Sequence, residues 1–73
     1  MSTAQANALV VTLIYERAGE PTFHGSRDVS FRSLHVLQRR GLLERDEQGG
    51  GFKLTEAGRG LARSLKGELS PPA

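Results

Sequence analysis

Apolar side chains recur with a helical period at the start of the chain. Ala6, Leu9, Val10, Leu13 and Ile14 fall on one stripe, because residues three and four apart share a helix face. Ser2, with Gln5 three positions on, forms a capping box, and Gly19 is a natural stop. The spacing predicts helix 1 over Thr3 to Ala18. Val11 and Tyr15 lie off the centre of the stripe, placed either to widen the core face or to meet a second chain. Glu20-Pro21 breaks the helical pattern, since the residue before proline is pushed toward extended backbone. Thr22-Phe23-His24 then has strand character and ends at Gly25, which predicts a short strand or extended piece with Phe23 directed into the core.

From Phe31 to Leu65 the pattern reads helix, strand, glycine hairpin, strand, helix. Asp28 and Ser30 are two candidate caps for a helix over Val29 to Arg40. Phe31, Leu34, Leu37 and Gly41 mark one of its faces, and Gly41 stops it by taking the left-handed position without a Cβ penalty. Leu42 to Arg45 and Phe52 to Leu54 are the expected antiparallel strands, joined through the acidic and glycine-rich Asp46 to Gly51. Thr55 can cap a last helix running to Glu68, with Glu56 favourably placed in its first turn. Ala57, Leu61, Ala62, Leu65 and Leu69 share one face of that helix, with Arg59, Arg63 and Lys66 outward. Gly58 and Gly60 each cost it about 1 kcal/mol relative to alanine and leave room for close packing. The expectation is one α+β domain over 1–69, with a disordered tail from Ser70 to Ala73.

Composition limits what such a domain can do. A chain of 73 residues buries only roughly 60% of the surface its unfolded form exposes, which argues against a deep catalytic cleft. At 37% hydrophobic and 25% charged it has enough apolar material for a small core. The absence of cysteine removes disulfides, thiolate zinc sites and cysteine nucleophiles together. No apolar run approaches the roughly 20 residues of a membrane span, and the N-terminus lacks a signal-peptide pattern. A cytoplasmic protein without membrane association is expected.

Catalytic arrangements are equally missing from the sequence. Ser33 and His35 are close along the chain, but a spacing of two does not set them side by side on a helix. No carboxylate or second histidine lies at metal spacing from His24, so a loop histidine is its expected role. Gly49-Gly50-Gly51 lacks the lysine and serine or threonine pair of a phosphate-binding P-loop, and a hairpin tip with wide backbone freedom is the simpler reading. No enzyme activity, metal or cofactor is expected. The distribution of charge says more than the net +2: between Arg27 and Arg45, the residues Arg27, Arg32, Arg39, Arg40 and Arg45 stand against Asp28 and Glu44 alone. Arginine suits planar contacts to phosphates and guanine edges, although a solvated helix face explains the same charges nearly as well.

Taken together, Leu34-x-x-Leu37-x-x-x-Gly41-Leu42-Leu43-x-Arg45, a glycine turn, and Leu54-Thr55-Glu56-x-Gly58 resemble the second half of winged helix-turn-helix regulators of the MarR and PadR kind. The resemblance covers about Asp28 to Leu65, roughly half the chain. It implies a small winged-helix domain in the order helix 1, short strand, recognition helix, two-stranded wing and C-terminal helix, and a DNA-binding transcriptional regulator acting as a homodimer on double-stranded DNA. Carried over by position, Arg32, Ser33, His35, Val36 and Arg39 would face the major groove, and Arg27 and Arg40 would flank phosphates. Arg45 and Lys53 would be wing residues beside the backbone or minor groove. Helix 1 or the C-terminal helix would serve the dimer.

The chain departs from the family at three points. Only Glu20 to Asp28 stands where the family has a further helix, so that helix must shrink to a turn. Ser30 replaces an aliphatic residue, implying a differently built core beside it, and Asp46 and Glu47 place acid at the wing tip. These departures, with the low net charge and an outward Val36, favour an alternative: an accessory or phage-type winged helix that docks on a host regulator or polymerase without binding DNA.

Overall fold

The computed structural model describes residues 1–20 and 22–67, and it places three helices around a two-stranded antiparallel hairpin. Helix α1 (Thr3–Arg17) starts where Ser2 accepts a hydrogen bond from the Gln5 N–H, which is half of the expected capping box; the Gln5 Oε1 that would complete it accepts no hydrogen bond among the described residues. Its buried face is Ala8, Leu9, Thr12 and Leu13, turned from the expected stripe so that Ile14 is exposed and Ala6 and Val10 are half-buried. Two features allow the turn. Thr12 buries its hydroxyl by donating to the Ala8 carbonyl at 2.7 Å, and Val11 packs against the core from the flank.

After α1 the chain makes a single bridge rather than a strand. Phe23 exchanges two backbone hydrogen bonds with Phe52 (2.7 and 2.9 Å), and its side chain is fully buried. A tight turn, closed by the Val29 N–H donating to Ser26, leads into the next helix. It also buries Val29, supplying from the neighbouring position the aliphatic side chain that Ser30 lacks. Ser30, not Asp28, caps helix α2 (Phe31–Arg39), and the helix therefore begins two residues later than the apolar pattern suggests.

The end of α2 shows why Gly41 is there. Gly41 has φ +77°, its N–H donates to Gln38 at 3.0 Å, and the Leu42 N–H donates to Leu37 at 3.0 Å. Those two bonds form a Schellman motif, which satisfies the last carbonyls of a helix. Strands β1 (Leu43–Arg45) and β2 (Phe52–Leu54) follow, paired Leu43 to Leu54, Glu44 to Lys53 and Arg45 to Phe52.

Helix α3 (Glu56–Leu65) is fastened back onto this corner. The Thr55 hydroxyl accepts from the Gly58 N–H at 3.0 Å and donates to the Gly41 carbonyl at 2.7 Å, while the Thr55 N–H donates to Leu42 at 3.2 Å. Gly58 lies directly over the Leu42 carbonyl, where a Cβ would overlap the oxygen. The threonine and glycine of the Leu-Thr-x-x-Gly step thus have separate jobs: one ties, the other permits approach. The buried face of α3 is Gly58 and Ala62 with Leu61 beside them, whereas Ala57 and Leu65, expected inside, are exposed. Leu69 and the proposed tail of 70–73 lie outside the described residues.

The core draws on every element. Leu9 and Leu13 of α1, Leu34 and Leu37 of α2, Phe23, Leu43, Phe52, Leu54 and Ala62 are each at most 5% exposed. The α+β order is the expected one and is consistent with a small winged-helix layout. Among the described residues no helix is long and apolar enough to cross a membrane.

Candidate nucleic-acid interface

Burial of Ser33, Leu34 and Leu37 fixes how α2 is rotated, and so which residues it presents outward. On a helix with those three inside, the opposite face carries Arg32, His35 and Arg39. All three are exposed, with half-buried Val36 on one flank. Arg40 caps the helix and Arg27 sits in the preceding turn, both exposed. No acidic residue occurs from Val29 to Leu43. Among the described residues Arg27, Arg32, Arg39 and Arg40 have no ion-pair partner. An unpaired guanidinium in solvent makes little contribution to folding, yet keeps all its donors for an external acceptor.

Two α2 residues are placed against expectation, and they have exchanged roles. Ser33 was expected to face the groove, but it is only 9% exposed, with its hydroxyl within 3.2 Å of the Ser30 hydroxyl. Phe31, expected in the core, is 58% exposed. Ser30 caps the helix by accepting from the Ser33 N–H, and the seating of Leu34 and Leu37 in the core turns Ser33 inward with them. The serine spacing of three was visible in the sequence. Its consequence for Phe31 depends on how the helix seats on its neighbours.

The Phe31 ring does not hang free. It lies over Gly25, with centroids 6.4 Å from the His35 ring and 6.5 Å from the Phe52 ring. His35 in turn meets Phe52 edge-on at 5.4 Å. Aromatic contacts of this kind hold ring orientation, so α2 and β2 are joined at this edge by three rings. Arg45 completes the cluster, its guanidinium 5.1 Å from the Phe52 centroid and donating to the Gly50 carbonyl at 3.4 Å.

The two hairpin residues in the candidate set do not act together. Arg45 shares a face with Phe52, toward α2, whereas Lys53 and Glu44 pair on the opposite face, 3.7 Å apart. Lys53 therefore borders a shallow groove with Glu16, Gly19, Leu54 and Arg59 instead of joining the α2 surface. Arg59, expected to point outward, makes a two-pronged contact across that groove. Its Nε and Nη2 donate to the two Glu16 carboxylate oxygens at 2.9 and 2.6 Å. These hydrogen bonds hold the Glu16 carboxyl below its usual range against partial desolvation, and raise the Arg59 guanidinium further. Nothing in the linear pattern links residues so far apart, and the pair emerges only when α1 packs on α3.

Acid at the hairpin tip also has an internal use. The Asp46 carboxylate accepts backbone N–H groups of Gly49 and Gln48, and both lower its pKa. Its own backbone closes the loop through the Gly50 N–H at 2.7 Å and the Gly51 carbonyl at 2.9 Å. The tip is an ordered turn built around Asp46. Among the described residues there is no group of histidines and acids able to hold a metal.

No family model matches the chain, and no curated protein or solved structure matches it.

Proposed function

We propose that this chain is a small DNA-binding regulator of the winged helix-turn-helix kind, with α2 entering the major groove and the hairpin lying beside the backbone. One observation carries the reading: the outward face of α2 presents Arg32, His35 and Arg39, flanked by Arg27 and Arg40, with no acid on the helix and, among the described residues, no ion-pair partner for the four arginines. An α-helix fits the major groove, its N-terminal residues reach base edges, and basic flanks hold its register on phosphates. Arg45 stands at the α2 side of the wing for the same purpose. Lys53 is left as a distal backbone contact, and Ser33 supports the helix from within.

So small a module covers little DNA, and a homodimer reading two half-sites suits it. Exposed Ile14 on α1 and Leu65 on α3 are apolar surface for that pairing. A regulator of this kind works in the cytoplasm.

Titrating salt against binding to random-sequence duplex tests the reading. Log affinity should fall linearly with log salt, by about 0.9 for each phosphate contacted. Changing Arg32, Arg39 and Arg40 together to alanine should abolish binding; unchanged binding would sink the assignment of α2. The alternative, a winged helix that docks on a regulator or polymerase, draws on the 58% exposure of Phe31. Negligible duplex affinity at physiological salt, with a monomer by light scattering, would favour it.

A further inference from the structure

We propose that Phe31 is a specificity-determining residue that reads the 5-methyl group of thymine in the major groove. The inference rests on the DNA-binding reading and goes beyond it, naming a base feature and the side chain that senses it.

Four observations converge on Phe31. It is the first residue of α2, and the N-terminal residues of a helix in the major groove are those that approach base edges. At 58% it is the most exposed large apolar side chain among the described residues, a state that costs solvation in the free protein and is relieved by an apolar partner. Its ring is braced rather than loose, seated over Gly25 with the His35 and Phe52 rings on its other sides, so little rotamer freedom is left to lose on contact. Finally, its immediate neighbours on the surface are Arg32 and His35, with Arg45 held over Phe52 across the cluster. Guanidinium groups suited to phosphates and guanine edges thus share the surface that carries the ring.

The chemistry selects the ligand. The thymine methyl is the one apolar group on a base-pair edge in the major groove, and phenylalanine is among the side chains that meet it. Burying a methyl gives about fourfold in affinity, and uracil, which pairs identically, lacks it. Arg32 one residue on would meet hydrogen-bond acceptors of the neighbouring pair.

The test compares the whole chain on three short duplexes of equal length: alternating adenine-thymine, alternating adenine-deoxyuridine, and alternating guanine-cytosine. The expected result is that the wild type binds the thymine duplex about fourfold or more tightly than the deoxyuridine duplex. Phe31→Ala should bind those two equally, at the deoxyuridine level, and Phe31→Leu should retain part of the preference. Because Phe31 is largely exposed, the variants should fold, and circular dichroism melts check it. Equal wild-type binding to the thymine and deoxyuridine duplexes overturns the inference while leaving DNA binding in place. A thymine preference that survives in Phe31→Ala also overturns it, assigning the preference to duplex shape. Failure to bind any duplex removes both readings and leaves the exposed ring to a protein partner.

Discussion

Gly58 and Gly60 stand two apart on α3, look alike in the sequence, and do opposite things. A Cβ at Gly58 would overlap the Leu42 carbonyl, whereas a Cβ at Gly60 meets nothing within 4 Å. Gly58→Ala should therefore lower stability by about 2 kcal/mol or more, because overpacking against backbone has no flexible side chain to yield. Gly60→Ala should raise stability by up to about 1 kcal/mol, the ordinary helix preference for alanine. Thermal melts of the two variants check the pair, and similar shifts in one direction would refute this account of α3 docking. Phe31 and Ser33 give the same lesson on α2. Polarity assigned one inward and the other outward, and the seating of the helix on the core decided otherwise.

At the scale of elements, the corner between α2 and α3 is closed by one hydroxyl. Thr55 caps α3 and reaches back to the Gly41 carbonyl at the end of α2, so loss of the group loosens both helices at once. Thr55→Val keeps the shape and removes both bonds, with an expected loss of about 1–2 kcal/mol. Thr55→Ser should recover most of it, because only the methyl is lost. Denaturant titration distinguishes the two, and a valine variant as stable as the wild type, with serine the weaker of the two, would show that packing of the methyl, rather than the bonds, matters. The cap also aims α2. The helix end that carries Arg39 and Arg40 is the end that Thr55 ties down, so a preserved corner is a condition for presenting those arginines in fixed register. Under the proposed DNA-binding function, Arg40→Ala alone should reduce the salt slope of binding by about one, with little change in preference among duplexes.

At the scale of the molecule, α1 and α3 are joined across their outer edge by Glu16 and Arg59. The two side chains are 30% and 42% exposed, so solvent screens the pair and its worth is about 0.5–1 kcal/mol. Glu16 has its pKa lowered in the folded chain. Its contribution is therefore complete above the usual glutamate range and is lost as pH falls through the lowered folded value. Glu16→Gln should melt a few degrees below the wild type at neutral pH, and the two should converge in acid. A constant difference at every pH would mean that the pair acts through packing alone.

Helices, strands and stops were largely legible in the chain itself, since caps and glycine stops act through near neighbours. Ser2, Thr55 and Gly41 do what their positions predict, and the hairpin follows from the glycine run between two apolar stretches. Short range is also why the deficit between α1 and α2 could be read: eight residues after Glu20 cannot hold both a strand and a helix, and the turn at Ser26 to Val29 is what fits. Rotation of each helix about its axis was not legible in the same way. The apolar stripe of α1 is broad enough to sit in more than one orientation, and contact with Phe23, α2 and α3 selects the one that buries Ala8 and Thr12 and leaves Ile14 outside. Rotation also decides which candidate residues share a surface. It unites Arg32, His35 and Arg39, turns Ser33 in and Phe31 out, and the pleat of the hairpin sends Lys53 to the far side. Sequence determined which residues carry the charge, because composition and local spacing are written in the chain. Only tertiary packing decided which way they face, because burial energy is minimised for the whole core at once and not for any element alone.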